Sequence, residues 1–218
     1  VVLLSPLIVL VALAVKFTSP GPVFYAQTRV GHRGKPFDIL KFRSMRADAE
    51  KDGPVWACAQ KNDNRLSPIG GFLRSTHLDE IPQFFNVLKG ELSFIGPRPE
   101  RPHFVEKLRS DVPLFDLRAL IKPGITGWAQ INQGYANSTE DSRRKLEYDL
   151  YYVMKHSPML DVRVVLGTLG IVTTGGTEGR KREKMELPRP NRYILSKEML
   201  RRPQIGVSDT MNSKPSMG

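Results

Sequence analysis

The opening stretch VVLLSPLIVLVALAVKF presents no polar face, its aliphatic positions being broken only by Ser5, Pro6 and Lys16. A soluble surface helix needs one polar side. The pattern therefore predicts a helix in contact with a membrane, and at roughly 17 residues it falls at the lower edge of a bilayer span. Proline inside a helix removes a backbone hydrogen bond and kinks the axis. Ser5-Pro6 thus predicts a re-entrant segment that enters and leaves by one face, with Lys16 and the following TSPGP at headgroup depth. A buried core helix and the end of a cleaved signal peptide are the alternatives. The run opens on Val1 rather than methionine, which predicts further chain upstream.

After a loop at residues 19–22 the period changes. VFYAQTRVG and FDILKFRSM, rich in β-branched and aromatic residues, flank HRGKP, whose Gly34 and Pro36 supply turn chemistry. A β-hairpin is expected. Residues 47–68 are polar and irregular and read as a loop. Over residues 69–88, Leu73, Leu78, Ile81, Phe84, Phe85 and Leu88 recur at three- and four-residue steps, predicting a helix at Asp79 and Glu80 with Pro82 in a first turn. FIGPRPERP is too rich in proline for regular structure. Helices are predicted over residues 103–110 and 114–121, and a Gly/Pro loop over 122–130. Ser138 and Asp141 mark the start of another helix, with an apolar stripe of Leu146, Leu150, Val153 and Met154 and a basic flank of Arg143, Arg144 and Lys145. MLDVRVVLGTLGIVTTGG, interrupted by Asp161 and Arg163, suits an interface or a core better than a span.

Charge narrows the chemistry. With 33 Lys and Arg against 22 Asp and Glu, the net charge of +11 attracts phosphates, anionic lipid or nucleic acid. The single cysteine, Cys58, excludes an intramolecular disulfide, and four scattered histidines give no zinc spacing, so any metal would be a hard one held by oxygens. In this basic setting Asp79 and Glu80 stand side by side. Alone, such a pair is equally well a solvated helix face. Lys41, Arg43, Arg74 and Arg98, however, are candidate clamps for a diphosphate. Carboxylates facing phosphates make sense when a divalent cation bridges them. An aspartate can then attack phosphorus to form an acyl phosphate, or serve only as a metal ligand.

The segments TSPGPVFYAQTRVGHRGKPFDILKFRSM, LRSTHLDEIPQFFNVLKGELSFIGPRPE, KPGITGWAQIN and KLEYDLYYVMKHSPMLDVRVV, in this order, resemble the bacterial sugar transferase family over about residues 1–174. These are the monotopic phosphoglycosyl transferases that start exopolysaccharide, O-antigen and glycoprotein glycan assembly. The resemblance implies transfer of a phosphosugar from a UDP-sugar to a polyprenyl (undecaprenyl) phosphate, with release of UMP and a requirement for magnesium, at the cytoplasmic face of the inner membrane. It implies that Asp79 is the nucleophile, that Glu80 helps hold magnesium, and that Arg74 and Arg98 steady the donor's phosphates. Asp149 and Asp161 match family acids, for which helix caps and ion pairs are equal alternatives to a site role. Ser5-Pro6 matches the family's helix break, with the first half of that helix falling before Val1.

The fold class expected is α+β, mostly helical, with a small hairpin, a re-entrant membrane helix and interfacial amphipathic helices. Residues 1–22 would form the membrane segment and exit loop, 23–174 the catalytic domain, and 175–218 a basic, flexible tail with a helical hint in SKEMLRR. The partners implied are a UDP-sugar, polyprenyl phosphate and the membrane, with an oligomer compatible. Nucleic acid is not expected, since no recognisable RNA- or DNA-reading unit is present. The competing readings are a metal-dependent hydrolase of nucleotide sugars and a basic membrane-surface module.

Overall fold

Helix α1, Ser5–Thr18, begins where a proline costs least: Pro6 occupies its first turn, in which the missing N–H has no helical partner to lose. The computed structural model describes residues 4–46, 48–51, 63–133 and 139–174. Within them Pro6 stands in the first turn of the helix, and residues 1–3 before it lie outside the described residues. The expectations placed on Cys58, on Ser138 and on the tail from residue 175 lie outside the described residues. No described helix is long and apolar enough to cross a membrane.

The hairpin forms where the alternating pattern put it. Strands β1, Phe24–Val30, and β2, Pro36–Phe42, pair antiparallel from Phe24 opposite Phe42 to Val30 opposite Pro36. The chain reverses through Arg33 and Gly34, both at positive φ. The outer edge of β2 is sealed by the buried Asn86, which accepts from Leu40 N at 3.0 Å and donates to Asp38 O at 2.8 Å. That covers an edge otherwise open to pairing.

The single helix expected over residues 69–88 is instead three pieces: α2, Gly70–Ser75; a 3-10 turn, Leu78–Glu80; and α3, Gln83–Leu88. His77 adopts a left-handed conformation at φ 55°, which ends the first piece, and Pro82 lacks the N–H needed to continue the second. The spacing survives because Leu73, Leu78 and Ile81 still face one core. There they join Val11 and Val15 of α1 and Phe42 of β2.

Two more corrections concern residues 93–126. The helix expected at 114–121 is a 3-10 segment, Phe115–Leu120, entered through Leu114 at φ 65°. Stretches read as irregular contain a parallel strand pair, β3, Ser93–Ile95, with β4, Gly124–Thr126. Parallel strands carry no hairpin signal. Their contact depends on absent side chains: a Cβ on Gly96 would lie 2.5 Å from Lys122 O and 2.9 Å from Gly124 N. Gly96→Ala is therefore expected to cost about 2 kcal/mol or more, read as a lowered unfolding temperature; an unchanged temperature would show that this pair can spread without loss.

A second core joins α4, Pro102–Asp111, to α6, Thr139–Lys155, through Phe104, Val105, Leu108, Val112, Phe115 and Leu146. The buried positions of α6 are Ser142, Leu146, Asp149 and Tyr152, while Met154, expected in the stripe, is exposed. Helix α5, Trp128–Asn132, packs on α7, Pro158–Thr174, where Gly167 lies under Ile131. The outer face of α7 shows Met159, Val162, Leu166 and Leu169 to solvent, and α1 likewise shows Leu10 and Phe17.

Candidate functional site

Because Leu78 and Ile81 are rooted in the core beneath α1, the turn between them holds Asp79 and Glu80 in fixed places. Glu80 is met by two cations. Lys41, on β2, brings Nζ to 2.7 Å from Oε1, and Arg98, in the loop after β3, closes on the same carboxylate with both terminal nitrogens. Asp79 is only 7% exposed, and its carboxylate has no hydrogen-bond or ion-pair partner among the described residues.

These adjacent acids are driven apart electrostatically. Burial raises the Asp79 pKa above the ordinary aspartate value, Glu80 adds to the rise, and Lys41, Arg74 and Arg98 oppose it only in part. Burial would raise Glu80 as well, but Arg98 and Lys41 outweigh it and hold this carboxyl well below the usual range. The Lys41 ammonium is itself lowered by burial, against the pull of Glu80. Neighbouring carboxylates in opposed environments are suited to different tasks. Glu80 fixes two cations, and Asp79 is left desolvated and chemically available.

The other residues singled out from the sequence fall in three places. Arg74 acts on Asp79 through its charge and lies 3.9 Å from Asp63. Arg43 is not brought to the acids: its buried guanidinium donates to Ser19 O and Pro20 O, each at 2.7 Å, and pins the exit from α1. Asp161 accepts from the Tyr152 hydroxyl at 2.6 Å, and Asp149 is buried against Arg118 at 2.7 Å. Ser5 and Pro6 start α1.

Sequence reasoning missed the charged network behind the Arg98 loop. Glu100 is half-buried; desolvation would raise its pKa, yet Lys145, Arg118 and Arg29 hold it down to about 2. Arg29 donates to Pro99 O at 3.1 Å and Arg118 to Arg98 O at 2.7 Å. The partners of this network lie up to 70 positions apart, as in Arg29 to Pro99, so no local spacing announces them. Among the described residues no group of three or more acids, histidines or cysteines gathers as a metal site. Among the residues described around this turn, Asp79 and Glu80 are the carboxylates that could be offered to a hard cation such as magnesium, which takes one or two and completes its shell with phosphate oxygens and water.

A model of the bacterial sugar transferase family matches residues 1–175. The chain is 44% identical over 173 residues to a UDP-N-acetylgalactosamine-undecaprenyl-phosphate N-acetylgalactosaminephosphotransferase of Aeromonas hydrophila, covering 79% of this chain and 40% of that protein. It is 46% identical over 169 residues to a UDP-glucose:undecaprenyl-phosphate glucose-1-phosphate transferase of Escherichia coli K12, covering 77% and 36%. It is also 39% identical over 181 residues to an exopolysaccharide production protein, PSS, of Rhizobium leguminosarum, covering 79% and 88%. The chain thus spans 40% or less of the length of the first two relatives.

Proposed function

Since the chain belongs to the bacterial sugar transferase family, we propose that it transfers a phosphosugar from a UDP-sugar to undecaprenyl phosphate, releasing UMP, as the first membrane step of exopolysaccharide or related glycan assembly. The observation that carries this reading is the contrast at the paired acids: Asp79 buried and without a hydrogen-bond or ion-pair partner among the described residues, Glu80 held by Lys41 and Arg98. An oxygen of Asp79 attacks the β-phosphorus of the donor. The bond from that phosphorus to the bridging oxygen breaks, and its electrons leave with UMP. The phosphosugar remains on Asp79 as an acyl phosphate until an oxygen of the lipid phosphate attacks the same phosphorus and frees the carboxylate. Lys41 and Arg98 are the cations placed to take the diphosphate's charge, and Arg74 supports them from beside Asp79. Asp79 and Glu80 would hold magnesium, whose chemistry would be to neutralise diphosphate oxygens.

The apolar faces of α1 and α7 support a seat on a membrane surface, which we take to be the cytoplasmic face of the inner membrane. Phe17 is 84% exposed, Met159 66% and Leu10 65%, a display that soluble surfaces avoid. Such a seat would bring the acids towards the acceptor's phosphate, with α1 as the second limb of a re-entrant segment that breaks at Ser5-Pro6. The rival hydrolase would use the same acids with water. Measuring UMP release with and without undecaprenyl phosphate separates the two: the transferase turns over many times only when lipid is present, whereas sustained release in its absence would establish the hydrolase.

A further inference from the structure

Arg118 lies in the 3-10 segment Phe115–Leu120 with 8% of its side chain exposed, at the meeting of three parts of the fold. Its Nη2 donates to the backbone carbonyl of Arg98 and lies 2.7 Å from Oδ2 of Asp149 on α6. Its Nη1 lies 3.8 Å from Oε1 of Glu100, and the guanidinium packs over the Phe115 ring at 5.0 Å. One buried cation therefore ties the charges of α6 to the backbone of the residue whose side chain ends on Glu80. Lysine would not substitute, because a single ammonium lacks the planar fork that serves a carbonyl and two carboxylates together.

We propose that Arg118 is a positioning residue that, held by Asp149 and Glu100, fixes the Arg98 carbonyl and so aims the Arg98 guanidinium at Glu80. Aiming the same group at the donor diphosphate rests on the function proposed above; the aim at Glu80 does not. Asp149 then acts two steps from the chemistry and touches no substrate. A merely structural pair would stabilise α6 against the 3-10 segment and leave Arg98 indifferent.

The test uses the full chain in nanodiscs, labelled with 15N-arginine, with the Arg98 side-chain signals identified by their loss in Arg98→Lys. In the wild type these signals are expected to be resolved, as for a guanidinium hindered by its carboxylate. In folded Arg118→Lys they should collapse to an averaged, freely rotating signal. Asp149→Asn, which keeps the volume and removes only the charge, should give the same change and decides the matter if Arg118→Lys does not fold. In kinetics, Arg118→Lys should lower kcat/KM by ~10-fold or more alone, but by less than ~3-fold when added to Arg98→Lys, because coupled residues do not act additively. Arg98 signals that stay resolved in either folded variant, or losses that multiply in the double variant, would overturn the proposal. A wild type that releases no UMP from any donor would instead sink the transferase reading, while the arginine signals still decide the positioning role.

Discussion

Asp79→Asn is expected to reduce transfer by ~10³-fold or more without lowering the unfolding temperature. On the function proposed above, the loss follows from removing the proposed nucleophile. The intact fold follows from the absence of any partner: asparagine breaks no hydrogen bond or ion pair, because Asp79 makes none among the described residues. Stability should even favour the variant at neutral pH. Since burial raises the folded pKa of Asp79, whatever the acid contributes to stability is complete below the unfolded carboxyl's pKa and is lost as pH rises through the folded value. The wild type should therefore unfold below the variant at pH 7, with the gap closing as the solution is acidified. An Asn variant that transfers normally would remove Asp79 from the nucleophile's role.

Glu80→Gln should give the second largest effect, with the opposite dependence on pH. Lys41 and Arg98 would be left half-buried around a neutral amide, and uncompensated cations of this kind cost about 2–4 kcal/mol. Because Arg98 and Lys41 hold the folded pKa of Glu80 down, its contribution is present above the unfolded carboxyl's pKa and is lost as pH falls through the folded value. The deficit of the variant should thus be largest near neutrality and shrink in acid. Activity should fall by ~10²-fold, with more magnesium needed to reach half-maximal rate. An unchanged unfolding temperature together with an unchanged magnesium titration would strip Glu80 of both roles.

What the sequence disclosed follows the range of the forces involved. The hairpin was legible because alternation and turn chemistry are local, and the contiguous acids were legible because adjacency is itself the signal. The break of residues 69–88 into three pieces was not, since the left-handed turn at His77 leaves the apolar spacing untouched. The β3–β4 pair and the network of Arg29, Glu100, Arg118, Lys145 and Asp149 depend on contacts made only when distant segments meet. Arg43 shows the converse: its place in a basic motif suggested a phosphate clamp, but backbone carbonyls of the α1 exit loop claim it. Local pattern thus pointed to the acids and to three of their cations, Lys41, Arg74 and Arg98, while long-range packing drew Arg43 away.

The measurement that tests the central claim most directly is the intact mass of the protein, in detergent or nanodiscs, after incubation with magnesium and a panel of UDP-sugars but no lipid acceptor. The account predicts an increase of one phosphosugar with the accepted donor, absent in Asp79→Asn and discharged when undecaprenyl phosphate is added. No increase with any donor, alongside UMP release only in the presence of the lipid, would contradict it, replacing the covalent intermediate with direct transfer and leaving Asp79 as a ligand for the metal.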